Sequence, residues 1–285
     1  MSQTYTEFEL IIVNDASPED LDSIVKCYDD PRIQYYINEE NIGGKDLVAQ
    51  WNHSLEYANG EYIILASDDD VYFPQYLEKM DALVCKYPDV NVFRPRVQII
   101  DEKNNIIDIK GCVSPKVSAL EYWCYWGNVG SAIGYFVFKK VQLLQSGGFV
   151  NFPMAWGSDD ATVMKLGDSG ICFENNVLYS FRMSGENISS ARNSYITLLK
   201  KVEARKIFYY WMKDYLQKIT VTNDNDLYYL NHAMMTIDVL FKDITTPLLY
   251  ETSRISLLRV LPKLLKLEYM SLISVLKHTL IRILV

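Results

Sequence analysis

Three consecutive carboxylates, Asp68, Asp69 and Asp70, follow the apolar run at residues 61–66. Like charges in contact raise one another's pKa, so such a cluster is costly to hold unless a cation relieves it. A hard divalent ion, magnesium or manganese, takes oxygen ligands and binds through one or two carboxylates plus the phosphates of a substrate. The plainer reading is an acidic turn capping a helix that begins near Pro74. A second acidic pair, Asp159 and Asp160, follows Trp156, Gly157 and Ser158. Ser158 or Asp159 could serve as an N-cap, while a carboxylate at the edge of a site could take a proton from an attacking hydroxyl. Lys45, behind Gly43 and Gly44, could lay its ammonium against phosphate or simply be solvated. His53, His232 and His278 show no zinc spacing.

These residues must be positioned by regular elements. Residues 8–13 form a β-branched apolar run that predicts a strand buried on both faces, ending at Asn14 and Asp15. Ser17 as N-cap, Pro18 at the first helical position and an acid at the third, in the run Ser17-Pro18-Glu19-Asp20, predict the start of a helix running to about residue 28. A second strand is expected over residues 32–37, a loop at 41–45, a helix over 46–58 and a third strand over 61–66. This alternation predicts a parallel sheet with helices on both faces, whose ligands bind beyond the carboxyl ends of the strands, where Asp15 and the Asp68 to Asp70 cluster fall. From residue 195 onward helical periodicity dominates, which places the domain boundary there: residues 1–195, then a helical region at 196–285.

The composition narrows the partners. A formal charge of -8 and a pI near 5.0 argue against a polyphosphate backbone, so nucleic acid is not expected. The five cysteines have no CxxC spacing and read as free thiols in a reducing compartment. The N-terminus lacks the pattern of a secretory signal, and the expected location is cytoplasmic. Residues 251–285 stand apart: six basic and two acidic side chains give them a net +4, among paired leucines and isoleucines, leaving -12 for the rest. That is the composition of a helix resting on an anionic membrane surface, here the inner face of the cell membrane, or of a helical pair packed on a core.

Taken in order, these stretches resemble the inverting family 2 glycosyltransferases of the GT-A fold. Residues 8–20 are similar to that family's strand and "DDxSxD" turn. Asn41 to Gly44, Trp51, Asn52 and residues 58–63 resemble its "NxG...RN...A.GEYI" stretch. Ser67 to Asp70 with Pro74 resembles the "DxDD...P" segment that carries the DxD motif, and Gly147, Gly148, Phe149, Trp156 and Ser158 to Asp160 resemble its "GGF...W.ED" region. Arg182 ahead of residues 185–189 is a looser match. The likeness covers about residues 1–195. Three departures stand out: Ser67 replaces the usual first acid, Trp51 replaces an arginine, and a first apolar strand of the family, about 30 residues with its helix, has no counterpart before Ser2.

The resemblance implies an α/β, Rossmann-like, mostly parallel GT-A sheet with a C-terminal helical appendage. It implies a sugar transferred from a nucleotide diphosphate donor, UDP-linked by preference, to a hydroxyl of a glycan or lipid-linked acceptor, with inversion, in cell-surface polysaccharide synthesis. In that scheme Asp160 is the base, Asp159 and Trp156 face the acceptor, and Asp15, Lys45, Asp68 and Arg182 contact the donor. Asp69, supported by Asp70, holds Mn2+ or Mg2+, although an Asp68-x-Asp70 reading of the motif remains open. The alternative class is a non-catalytic GT-A domain that binds nucleotide, glycan or a partner enzyme without turnover.

Overall fold

The structure is a computed structural model that describes residues 1–111, 114–125, 131–183 and 195–250. The segment at 185–189 and the cationic stretch at 251–285 lie outside the described residues. The chain divides into two compact units: Met1–Asn151 with Ser158–Ser184, and Phe152–Gly157 with Gly185–Val285. No helix of the described residues is long and apolar enough to cross a membrane. Cys27, Cys85, Cys124 and Cys172 are free thiols.

The first unit contains, in chain order, β1 (Leu10–Asn14), α1 (Leu21–Val25), β2 (Ile33–Ile37), α2 (Leu47–Ser54), β3 (Tyr62–Ile63), β4 (Val71–Tyr72), α3 (Tyr76–Lys86), β5 (Val92–Ile100), β6 (Ile106–Lys110), β7 (Lys116–Val117), α4 (Ala119–Tyr125), β8 (Val137–Lys139), α5 (Lys140–Gln145), α6 (Ser158–Leu166) and β9 (Ile171–Arg182). β1 and β2 form a parallel pair with Leu10 opposite Ile33. The larger sheet has the order β3-β8-β5-β9-β4, with β6 on β5 and β7 on β9. β5 is its spine, and Val92, Phe93 and Val97 are wholly buried, as are Phe136, Phe138, Ile171 and Tyr179 from its surroundings.

The α/β class stands, but the large sheet is mixed rather than mostly parallel. Among the described residues only its β5–β9 pairing is parallel; β3–β8, β4–β9, β5–β6, β5–β8 and β7–β9 are antiparallel. Parallel neighbours need a crossover, which α1 supplies between β1 and β2 and the segments after β6 supply between β5 and β9. The remaining strands return directly, as at the β5–β6 hairpin, where Asp101 Oδ1 accepts from the backbone N–H groups of Lys103 and Asn105 at 2.8 Å each.

Three local expectations change. Leu10 to Val13 are only partly buried, because β1 has one strand neighbour, β2, instead of two. The first helix begins at Leu21, since Asp20 and not Ser17 caps it: Asp20 Oδ1 accepts from Ser23 N at 3.1 Å, whereas Ser17 Oγ reaches only Glu19 N. β3 shortens to two residues, paired to Lys139 and Phe138.

Two long-range clamps hold the loops that flank the acids. Glu9, just before β1, accepts from Asn59 N at 2.5 Å, Gly60 N at 2.8 Å and Gln34 Nε2 at 2.8 Å. Asn52, on α2, accepts from Phe149 N at 2.8 Å and donates to Phe149 O at 3.1 Å. The loop can approach that closely because Gly148 has φ +83°, and a Cβ there would lie 2.3 Å from Asn52 Oδ1. Asp46 caps α2 through Ala49 N and also accepts from Asn151 Nδ2 at 2.7 Å, and Thr162 of α6 accepts from Val150 N at 2.9 Å.

The second unit contains a short 3-10 turn at Pro153–Ala155, then α7 (Tyr195–Lys218) and α8 (Asp224–Tyr250). Leu198, Val202, Met212 and Leu216 make the buried stripe of α7. Phe152 meets Phe208 and Trp211 edge-on at 5.9 and 6.1 Å. Gly157, at φ +83°, lies so close to the Phe208 ring that a Cβ would stand 2.7 Å from it.

Two outcomes follow for stability. Gly148→Ala should lose about 2–4 kcal/mol in chemical denaturation, combining the left-handed backbone penalty with loss of the Asn52 clamp. Burial alone would raise the Glu9 pKa, but its backbone and side-chain donors win and hold it below the ordinary value. That contribution is present above the unfolded pKa and lost as pH falls through the folded one. Glu9→Gln should therefore cost about 1 kcal/mol near pH 7, allowing for its partial exposure, and thermal melts of the two proteins should converge as acid protonates the Glu9 carboxylate.

Candidate functional site

Each expected site residue has a defined place. Asp15 follows β1, with Ala16 next to it at φ +50°. Its Oδ1 accepts from Asn38 Nδ2 at 2.7 Å and Ile42 N at 2.8 Å, and its Oδ2 from Gly43 N at 2.7 Å. Burial would raise its pKa, yet these donors lower it overall. The carboxylate thus organises the 41–44 loop. Lys45, on the same loop, makes an exposed ion pair with Glu40 at 2.6 Å.

The acidic triplet lies between β3 and β4. Asp68 is exposed; Asp69 and Asp70 are partly buried. Asp70 Oδ1 accepts from Arg182 N at 2.8 Å, and its Oδ2 takes the hydroxyl of Tyr179. Burial raises the Asp70 pKa most, Asp69 adds to that, and the bonds from Tyr179 and Arg182 oppose it. Arg182 braces the same turn, donating through Nε to Asp69 O at 2.9 Å and through its guanidinium to Asn104 Oδ1 at 2.9 Å and Asp101 O at 3.3 Å. The end of β9 therefore grips the triplet by side chain and backbone together.

Asp159 and Asp160 occupy the first turn of α6, where the helix dipole favours negative charge. Asp160 is 6% exposed. The Ser131 hydroxyl joins the two acids, 2.7 Å from Asp159 Oδ2 and 2.7 Å from Asp160 Oδ1. Sequence reasoning missed Ser131, because an isolated serine carries no pattern.

One short stretch connects the two acidic groups. Ser131 holds the α6 pair. Three residues further on, Gly134 O accepts from Tyr72 Oη at 3.2 Å, and a Cβ on Gly134 would lie 2.6 Å from the Tyr179 hydroxyl that binds Asp70. Three residues of extended chain span at most ~11 Å, so both acid groups are served by one segment of that length. Tyr135, next along, meets Tyr179 edge-on at 5.6 Å.

Among the described residues no group of three or more His, Cys, Asp or Glu side chains could hold a metal ion by itself. A hard cation that takes one or two carboxylates and completes its shell with substrate phosphates and water needs no such group. The oxygen-only set of Asp69 and Asp70 suits that mode, with Asp70 already committed to Tyr179 and Arg182. Trp156 belongs to the second unit, where Lys201 Nζ and Arg205 Cζ lie 4.9 and 4.8 Å from its ring centroid.

Comparison with known proteins adds the family. The family model for glycosyl transferase family 2 matches residues 1–149. EpsE of Bacillus subtilis (strain 168), described as a glycosyltransferase, is 36% identical over 105 residues, 36% of this chain and 37% of that protein. WcaA of Escherichia coli (strain K12), described as a colanic acid biosynthesis glycosyl transferase, is 39% identical over 79 residues, 27% of each chain. The matched part is thus well under half the length of these relatives. Among solved structures, S. aureus TarS 1-349 in complex with UDP-GlcNAc has a TM-score of 0.60 at 15% identity, covering 90% of this chain and 76% of that one. The mannosyltransferase PcManGT of Pyrobaculum calidifontis, in complex with GDP-Man and Mn2+, has a TM-score of 0.52 at 14% identity, covering 91% and 68%. At such identities the likeness speaks for the fold, which is GT-A. With the family model spanning more than half of its residues, the chain belongs to glycosyl transferase family 2.

Proposed function

We propose that this chain transfers a sugar from a nucleotide diphosphate donor, UDP-linked by preference, to a hydroxyl of a glycan or lipid-linked acceptor, with inversion at the anomeric carbon. The observation that carries this reading is the pairing of two acid groups by residues 131–135: a buried Asp160 at a helix N-terminus at one end, and the Asp69–Asp70 turn at the other. A base and a phosphate-side acid group served by one short segment is what displacement at a sugar carbon requires.

Asp160 accepts the proton of the acceptor hydroxyl as its oxygen bonds to the anomeric carbon, while the bond from that carbon to the diphosphate oxygen breaks. Attack from the face opposite the leaving group inverts the centre. Ser131 fixes the Asp160 carboxylate, and Asp159, on the same hydroxyl, faces the acceptor beside it. Arg182 and Tyr179 hold the Asp69–Asp70 turn in place. Mn2+ or Mg2+, when bound through Asp69 with Asp70 in support, would supply positive charge against the diphosphate. Asp15, while bracing the 41–44 loop, is the residue proposed to read the nucleotide base. Lys45 and Asp68, both at the surface, are proposed donor contacts that come into play with donor present.

The setting proposed is synthesis of a cell-surface polysaccharide at the inner face of the membrane, with residues 251–285 as a peripheral contact. This rests on the net +4 of that stretch.

Transfer should be assayed with a panel of nucleotide sugars, with Mn2+ and after chelation. Asp160→Asn is expected to lower kcat by about 10²- to 10⁴-fold at unchanged thermal stability, and full activity in that variant would remove the assigned base. Chelation is expected to abolish transfer and Mn2+ to restore it. In vesicle sedimentation, binding to anionic lipid should weaken with salt and vanish on deleting residues 251–285; binding that survives the deletion would refute the contact.

A further inference from the structure

Tyr179 is wholly buried on β9 and is held from both sides, opposite Val97 of β5 and opposite Tyr72 of β4. Its ring meets those of Tyr72 and Tyr135 edge-on at 4.8 and 5.6 Å. Paired strands and close-packed rings leave the phenol little room to swing, so its hydroxyl is a fixed point in the first unit. That hydroxyl donates to Asp70 Oδ2, on the last acid of the triplet. The same carboxylate also accepts from Arg182 N at 2.8 Å and from the side chain of Ser67. Tyr179 is thus the side chain that reaches Asp70 from a neighbouring strand.

The same hydroxyl faces Gly134. A Cβ on that glycine would stand 2.6 Å from Tyr179 Oη, 3.4 Å from Tyr179 Cζ and 3.4 Å from the backbone oxygen of Leu65, on the chain that leads into the triplet. Gly134 lies inside a 3-10 turn at Ile133–Tyr135 and is not left-handed, so alanine could follow the same backbone. What glycine provides here is room. The nearest obstacle is a single oxygen, and it is the one that binds Asp70.

A push at this point has somewhere to go. Gly134 O accepts from Tyr72 Oη at 3.2 Å, which ties the peptide to the same tyrosine cluster. Tyr135 N donates to Ala132 O at 3.0 Å, and Ile133, Gly134 and Tyr135 are all buried, so the turn moves as a piece. Next to Ala132, Ser131 Oγ lies 2.7 Å from Asp159 Oδ2 and 2.7 Å from Asp160 Oδ1. The acidic turn and the segment that holds the α6 acids therefore meet where the Tyr179 hydroxyl touches Gly134.

We infer that Tyr179 is a positioning residue for the transfer and that it works through Gly134: its hydroxyl, seated against a backbone without a Cβ, sets the spacing between the Asp70 carboxylate and the Ser131 segment, and touches no substrate. This rests on the reading of Asp69 and Asp70 as the phosphate side and Asp160 as the base, so the test includes readouts that need no turnover.

The full chain is compared with Tyr179→Phe, Gly134→Ala and the double variant, each checked for fold by circular dichroism and urea denaturation. Mn2+ affinity is measured by electron paramagnetic resonance with UDP present, and kcat and KM are followed with the best donor. Phenylalanine keeps every ring contact, so a packing role alone predicts no change in Mn2+ affinity; the inference predicts a loss of about tenfold, with kcat falling and KM for the acceptor within about twofold of the parent. Gly134→Ala should weaken Mn2+ binding to a similar degree and raise the unfolding constant about tenfold or more. Once the hydroxyl is gone the added methyl meets only Cζ and a carbonyl at contact distance, so the double variant should match Tyr179→Phe alone in both measurements. If Gly134→Ala fails to fold, recovery of folding in the double variant supports the contact and continued failure counts against it. Mn2+ affinity unchanged in folded Tyr179→Phe, or losses that simply sum in the double variant, would overturn the inference. A parent chain that neither transfers sugar nor binds Mn2+ would refute the proposed function instead, and the denaturation cycle would still decide whether Tyr179 and Gly134 act as one.

Discussion

Mutual repulsion between carboxylates is the constraint around which the first unit is organised. Both acid groups gather negative charge in partly or wholly buried places, where solvent does little to screen it. Each is stabilised by donors brought from elsewhere in the chain. Asp70 relies on Tyr179 and the backbone of Arg182, 109 and 112 residues away. Asp159 and Asp160 rely on Ser131 and on the N-terminal field of α6. Asp15 relies on two backbone N–H groups and an asparagine.

This dependence explains the mixed sheet. A purely parallel sheet would carry its strands away through helical crossovers, whereas the antiparallel run of β4 against β9 lays Val71 opposite Ser180 and Tyr72 opposite Tyr179. That register puts the Tyr179 hydroxyl and the Arg182 backbone beside the acidic turn immediately preceding β4. The parallel β5–β9 pairing sets Arg94 opposite Phe173, whose ring centroid lies 5.6 Å from the guanidinium carbon. Register is thus an electrostatic device here as well as a packing one.

The loops are governed by small residues with a definite steric task. Gly148 admits the Asn52 side chain, and Gly134 admits the Tyr179 hydroxyl, each at a distance no Cβ could tolerate. In the second unit Gly157 does the same for the ring of Phe208, and Trp156 next to it takes two cations on its ring. Met154 and Ala155, at φ +59° and +58°, show that the chain just before this tryptophan adopts a conformation that side chains disfavour.

By itself the sequence determined the local matters. Apolar runs announced β1, β2 and β3, Asp46 and Pro74 announced helix starts, and the order of acid-bearing turns announced the family. Those signals are short-range: they depend on periodicity, capping and turn chemistry within a few residues. The tertiary structure alone decided the direction of the strands, the half-exposed state of β1 and the partners of every carboxylate. Ser131 and Tyr179 carry no local pattern, because a buried charge is tuned by groups close in space and distant along the chain. The Coulomb field depends on that separation in space and on the dielectric between the groups, and both exist only once the chain has folded.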